Sequence, residues 1–174
     1  MIAPPINFKR WIDENRNLLK PPVGNQVVYE DTEFIIMVVG GPNARKDFHY
    51  NEGEEFFYQI EGDMQLPIIE DGQVRTIDIK EGEIFLLPPK VPHSPQRGAN
   101  TIGLVIERQR TEEELDACIW YCDNKECNNE LYRSDFHLGN IVEQLPKLMQ
   151  AFYDDEALRT CNKCETTLEI PQLK

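Results

Sequence analysis

This sequence predicts a mainly β chain: a jelly-roll barrel preceded by one helix and followed by a helical, cysteine-bearing extension. Three observations carry that reading. Short β-type runs recur at close spacing from Val27 to Glu107, turn pairs such as Gly-Pro, Glu-Gly, Asp-Gly and Pro-Pro separate them, and all five cysteines fall in the last third. At 174 residues and 40% apolar content, the chain is long enough for one well-buried domain with an appendage. We therefore expect the barrel and its N-terminal helix over 1–110, and an extension over 111–174 packed on the same domain.

The elements follow in order. Residues 7–19, NFKRWIDENRNLL, open with an asparagine suited to cap a helix. They set Phe8, Trp11, Ile12 and Leu19 on roughly one face before Pro21-Pro22 stops it. The runs VVY, FIIMVVG, FFYQI, MQLPII, VRTIDI, EIFLLP and TIGLVIE then read as strands. Beyond residue 110 a charged stretch leads to Cys122 and Cys127. A helical segment follows from about Gly139 to Tyr153, with Ile141, Leu145, Leu148, Met149 and Phe152 at helical spacing and Pro146 at its start or at a kink. Cys161 and Cys164 come last.

Charge narrows the partners. With 18 basic and 31 acidic residues the formal charge is -13, which repels nucleic-acid phosphates and anionic lipid, so neither nucleic acid nor membrane is expected as a partner. The first residues lack the charged-then-apolar order of a secretory signal. The longest apolar run, Phe34 to Val39, is far short of the roughly 20 residues that span a bilayer. A soluble, cytoplasmic protein is expected. Five cysteines, an odd count without an export signal, argue against a disulfide framework and for metal binding. Cys122-x4-Cys127 and Cys161-x2-Cys164 offer two pairs of soft ligands for a tetrahedral iron or zinc site, with Cys118 open as a substitute ligand.

Two of the three histidines sit in separated patterns, His49-x5-Glu55-x6-Gly62 and Gly82-x5-Pro88-x4-His93-x3-Arg97. Together His49, Glu55 and His93 give one metal two imidazoles and a carboxylate, the set that caps one face of Fe(II) in non-haem oxygenases and leaves the other face open. Glu55 is preferred to Glu54 because it alone gives the six-residue gap to Gly62, and neighbours on a strand face opposite ways. Asp47 is either a fourth ligand or, as its neighbours Lys46 and Phe48 favour, a surface or supporting residue. His137 has no such context and is read as structural or surface.

These patterns resemble the two signature motifs of the cupin barrel, with Asp47-Phe48-His49 where many cupins have His-x-His and Arg97 where the second motif commonly ends in Asn. Over most of its length the chain further resembles the 3-hydroxyanthranilate 3,4-dioxygenase family. The resemblance rests on LLKPPVGN (18–25), VGGPNARKDFH (39–49), EEFFYQIEGDM (54–64), EGEIFLLPPKVPHSPQR (81–97) and LVIERQR (104–110).

The resemblance implies Fe(II)- and O2-dependent opening of the 3-hydroxyanthranilate ring to 2-amino-3-carboxymuconate semialdehyde, which closes to quinolinate on the route to NAD. It implies a homodimer. It also implies a second, rubredoxin-like metal site at Cys122, Cys127, Cys161 and Cys164, although members of the bacterial and fungal type usually place two residues within each pair. Arg97, whose planar donor fork matches a carboxylate, would grip that of the substrate. Arg45 would stand beside O2 at the metal's open face. Glu107 would take a hydrogen bond or proton as the substrate binds, and Asn25 would line the pocket. Competing readings are a cupin dioxygenase for another ortho-aminophenol or catechol carboxylate, and a non-catalytic cupin that binds a metal or small ligand.

Overall fold

The computed structural model describes residues 2, 4–21 and 24–172, with the side chain of Val142 left aside. The chain opens with helix α1, Phe8–Asn15. Asn7 caps it, its side chain accepting from Arg10 N at 3.0 Å. The helix is shorter than the 7–19 expected: Asn15 turns its amide back onto the Trp11 carbonyl, and Leu19 reaches the core from the turn that follows. A methyl group at Gly40 would collide with the Leu19 carbonyl, so that glycine makes room for the turn. Pro22, half of the expected helix stop, lies outside the described residues. Ile12 and Leu19 pack on Val38 and Ile102, burying the outer side of the barrel there.

Eleven strands follow among the described residues: β1 Asn25–Val27, β2 Phe34–Gly40, β3 Asp47–Tyr50, β4 Glu55–Glu61, β5 Met64–Glu70, β6 Gln73–Ile79, β7 Ile84–Leu87, β8 Gln96–Arg97, β9 Ile102–Arg108, β10 Asp116–Tyr121 and β11 Glu130–Phe136. Helices α2, Ile141–Asp154, and α3, Glu156–Arg159, complete the set. One sheet runs β1-β2-β9-β4-β7. Facing it are β11-β10-β3 and β6-β5-β8, joined through His93, which bridges to His49 on one side and Ile68 on the other. Ile35, Met37, Phe57, Leu66, Ile68 and Val105 fill the space between the layers. Inward and outward residues alternate as the period of two requires. The result is a jelly-roll barrel with an N-terminal helix and a C-terminal extension.

The runs from FIIMVVG to TIGLVIE all form strands. Four strands were not among those expected: β3, β8, β10 and β11. β10 follows the division expected after residue 110, yet it pairs with β3, Cys118 lying opposite His49 and Trp120 opposite Asp47. Residues 116–121 are thus part of the barrel sheet. Trp120 stacks on Phe152 of α2 with ring centroids 4.2 Å apart, so α2 closes over the face that β10 shares with His49. Pro146 sits inside α2 rather than at its start.

Candidate active site

His49 and His93 are an antiparallel pair, each donating its backbone N–H to the other's carbonyl at 2.7 and 2.9 Å. That pairing sets both imidazoles on the inner face, ring centroids 5.4 Å apart. Glu55, at the start of β4, points into the same space, while Glu54 is exposed. One donor atom from each of His49, Glu55 and His93 lies within 4.8 Å of the others, and all three residues are buried. His93 Nε2 stands 2.9 Å from Glu55 Oε2, close to the ~3 Å between two donors held about 2.1 Å from one ion at a right angle.

The surroundings aim these donors. His93 Nδ1 lies 3.0 Å from the Val91 carbonyl, which fixes the ring and leaves Nε2 for a metal. His49 Nε2 is 2.7 Å from Asp116 Oδ2, a carboxylate–imidazole contact that leaves the other ring nitrogen as ligand. Asp116 is itself held twice by Arg110, at 2.7 and 2.8 Å, and Arg110 reaches Glu107 Oε2 at 2.7 Å. The Asn51 amide spans Glu55 at 3.2 Å and Glu107 at 3.4 Å. Burial opposes the charge on Glu55, but His93 outweighs it and keeps the carboxyl below its ordinary range. Burial likewise disfavours an imidazolium at His93, and Glu55 more than reverses this. Two imidazoles and a carboxylate with fixed outer partners suit a divalent metal of the Fe(II) type.

Glu107 faces Glu55 across the β4–β9 ladder. Burial, and then the Glu55 charge, push its pKa up. Its Oε1 is buried with no hydrogen-bond partner among the described residues. Arg97 is 4% exposed. Its Nη1 donates to Gln59 Oε1 at 2.9 Å, its Nε has no partner, and among the described residues no carboxylate pairs with it. Burial lowers its pKa to about 10. Along β4 the inward residues are Glu55, Phe57 and Gln59. Arg97, bonded to Gln59, therefore lies along the same inner face as Glu55, near enough for the Glu55 charge to act on it, with Phe57 and Val105 forming the apolar floor between.

Arg45 pairs with Asp47 through two contacts, Nε to Oδ1 at 3.1 Å and Nη2 to Oδ2. Asp47 is thus engaged by Arg45, and it is not part of the metal-donor group. Arg45 and Arg97 both border a cleft of about 780 Å³ whose far side is the tail from Glu169 to Gln172. Asn25 lies in β1 and its Nδ2 is 3.6 Å from Met37 Sδ, a core sulfur. His137 is exposed. Asp116, Arg110, Asn51 and Gln59 received no role from the sequence. Arg110 stood at the end of the LVIERQR segment, but nothing local showed that it would fold back on Glu107.

The four cysteines meet as well. Cys122, Cys127, Cys161 and Cys164 place their sulfurs within 4.8 Å of one another. Cys122 and Cys164 are 3.5 Å apart, and Cys127 and Cys161 3.8 Å. Two thiolates on a tetrahedral ion at about 2.3 Å would be ~3.8 Å apart. The longer first loop closes through Cys127 N to the Asn124 carbonyl at 2.9 Å and Cys122 N to the Asn129 carbonyl at 2.8 Å. Cys118 is buried in the barrel opposite His49, outside this group, where burial lifts its thiol to about 12.

Comparison with known proteins bears on the barrel centre. A family model described as 3-hydroxyanthranilic acid dioxygenase matches residues 1–153. A 3-hydroxyanthranilate 3,4-dioxygenase of Xanthomonas campestris pv. campestris is 56% identical over 172 residues, covering 99% of this chain and 96% of that protein. One from Bacillus thuringiensis is 48% identical over 159 residues, 91% of this chain and 88% of that protein. Among solved structures, a cupin-2 domain protein of Shewanella frigidimarina aligns at a TM-score of 0.48 with 21% identity, over 60% of this chain and 94% of that one. The family match spans every residue of the His49/Glu55/His93 centre together with Arg97 and Glu107. The chain belongs to the 3-hydroxyanthranilic acid dioxygenase family.

Proposed function

We propose that this protein opens the ring of 3-hydroxyanthranilate with O2, giving 2-amino-3-carboxymuconate semialdehyde, which cyclises to quinolinate in the biosynthesis of NAD. The observation that carries the reading is Arg97, a buried cation whose Nε is unpartnered and which makes no ion pair among the described residues, near enough to Glu55 of the triad to be acted on by its charge. A buried charge without a partner is costly, and a substrate carboxylate is what two donors in a plane would match.

Iron(II) held by His49, Glu55 and His93 would supply open coordination positions for a chelating ortho-aminophenol and for O2, and would pass charge between them. The chain's own residues do the rest. Arg97 anchors the substrate carboxylate, so the hydroxyl and amine are delivered to the triad end. Glu107, with Oε1 free and its pKa raised, accepts the hydroxyl or amine proton there. Arg45 contributes a fixed cation where O2 gathers charge, and Asp47 holds it in place. Phe57 and Val105 keep the floor dry, and Asn25 lines the wall.

The test is to mix Fe(II)-loaded protein with 3-hydroxyanthranilate in air and follow O2 uptake together with the near-ultraviolet band of the semialdehyde. Coupled uptake and a transient band are expected. No reaction with the triad fully loaded would send the search to related aminophenols and catechol carboxylates.

We further propose that the four-cysteine site holds a second iron or a zinc with a structural task. It clamps the segment after Tyr121 to the tail, where Lys46 pairs with Asp123 at 2.5 Å and Asp123 Oδ2 accepts from Glu169 N at 3.4 Å. Cys161→Ser is expected to lose one metal per chain and lower Tm by about 10 °C, the order set by a few kcal/mol in a chain of this size, while initial turnover persists. Metal analysis with thermal unfolding checks this; loss of turnover in a folded variant would make the site catalytic. We propose a cytoplasmic protein that pairs as a homodimer, the pairing supported by the exposed apolar side chains Phe34, Ile84 and Leu86 on the outer face of the β1-β2-β9-β4-β7 sheet.

A further inference from the structure

Gln59 and Gly103 face one another across β4 and β9, and the Arg97 guanidinium lies over both. Gly103 is bare for reasons of space: a Cβ there would stand 2.6 Å from Arg97 Nη1, 2.9 Å from Nη2 and 2.9 Å from Gln59 Oε1. Gln59 is 1% exposed. Its Nε2 donates to the Glu61 carbonyl at 3.1 Å, where the pairing of β4 with β9 is interrupted, and this turns Oε1 toward Arg97. The Arg97 backbone is held too, its N–H donating to Asn43 Oδ1 at 2.8 Å and its carbonyl accepting from Asn43 N at 3.1 Å.

A glutamate would reach the same atom. It would also cancel the cation inside the protein. An amide oxygen fixes one edge of the guanidinium, adds no charge, and leaves Nε unused.

We propose that Gln59 and Gly103 are the positioning and specificity-determining residues of this site: they hold Arg97 in place and still charged, so that the chamber selects aminophenols bearing a carboxylate. The inference rests on the substrate reading above. It predicts that discrimination resides in the neutrality of position 59 and the bareness of position 103, as much as in Arg97.

The test uses the iron-loaded enzyme and two substrates, 3-hydroxyanthranilate and 2-aminophenol, which keeps the chelating pair and lacks the carboxylate. In Gln59→Glu, KM for 3-hydroxyanthranilate should rise about tenfold to a hundredfold, the range for forfeiting the charge-assisted contact between the substrate carboxylate and Arg97, with kcat changed less. The preference in kcat/KM for 3-hydroxyanthranilate over 2-aminophenol should fall by a similar factor. Gln59→Leu, which removes the acceptor without adding charge, should show a smaller rise. Gly103→Ala, which displaces the guanidinium, should reproduce the loss of preference and covers the case in which Gln59→Glu fails to fold.

An unchanged KM and preference in Gln59→Glu and Gly103→Ala overturns the proposal. So does an equal loss of kcat on both substrates with KM unmoved, which marks a merely structural role. A parent enzyme that turns over neither compound fails the substrate reading first and takes this proposal with it.

Discussion

His49→Ala is expected to give a folded protein that holds no iron at the barrel centre and consumes no O2 with 3-hydroxyanthranilate. Losing a partner outside the ligand shell costs metal affinity about 10- to 100-fold; losing one of three ligands costs far more. The fold should survive because His49 is tied in through its backbone, to His93 and along β10, and because Asp116 keeps both contacts from Arg110. Metal analysis beside an oxygen electrode checks the prediction. A variant with full iron content at that centre and normal turnover would remove His49 from the ligand set.

Arg97→Ala should split affinity from stability. Binding of 3-hydroxyanthranilate is expected to weaken about 100-fold, the equivalent of ~3 kcal/mol for a buried charge-assisted contact, with iron content unchanged. The variant should be about as stable as its parent, because the cavity it opens is offset by removing a buried cation that makes no ion pair among the described residues. Steady-state kinetics and thermal unfolding measure the two halves. Unchanged substrate affinity would take the carboxylate contact away from Arg97; a large fall in Tm would show that the guanidinium serves the fold.

The barrel was legible where strands alternate apolar and polar residues or are apolar throughout, as in FIIMVVG and TIGLVIE. β3 escaped because its inward residues are Asp47 and His49: the polar side of the strand is the one facing the chamber, which inverts the usual pattern. β10 hid in a segment whose cysteine and acidic neighbours suggested an appendage, and β11 alternates half-buried with charged, exposed residues. The triad could be read because motif spacing and strand parity together separate Glu55 from Glu54. Asp116 could not, since it meets His49 across 67 residues of chain, and no local pattern encodes that approach. Gln59 and Gly103 were equally silent: an inward glutamine and a strand glycine acquire meaning only once Arg97 is laid over them.

The placement of β10 has a consequence for how the catalytic chamber comes into being. The strand begins at Asp116, which touches His49, and ends one residue before Cys122. During synthesis His49, Glu55 and His93 emerge long before the strand that completes their surroundings, so the early chain holds its ligands without Asp116 to orient one of them. At the ribosomal pace of roughly 5–20 residues per second, the 23 residues added after His93 up to and including Asp116 leave an interval of about one to five seconds. Shortening the chain at residue 110, where its composition changes, would not release a smaller enzyme. It would leave an open sheet edge along β3 beside the ligand histidine, a ready site for pairing with another chain.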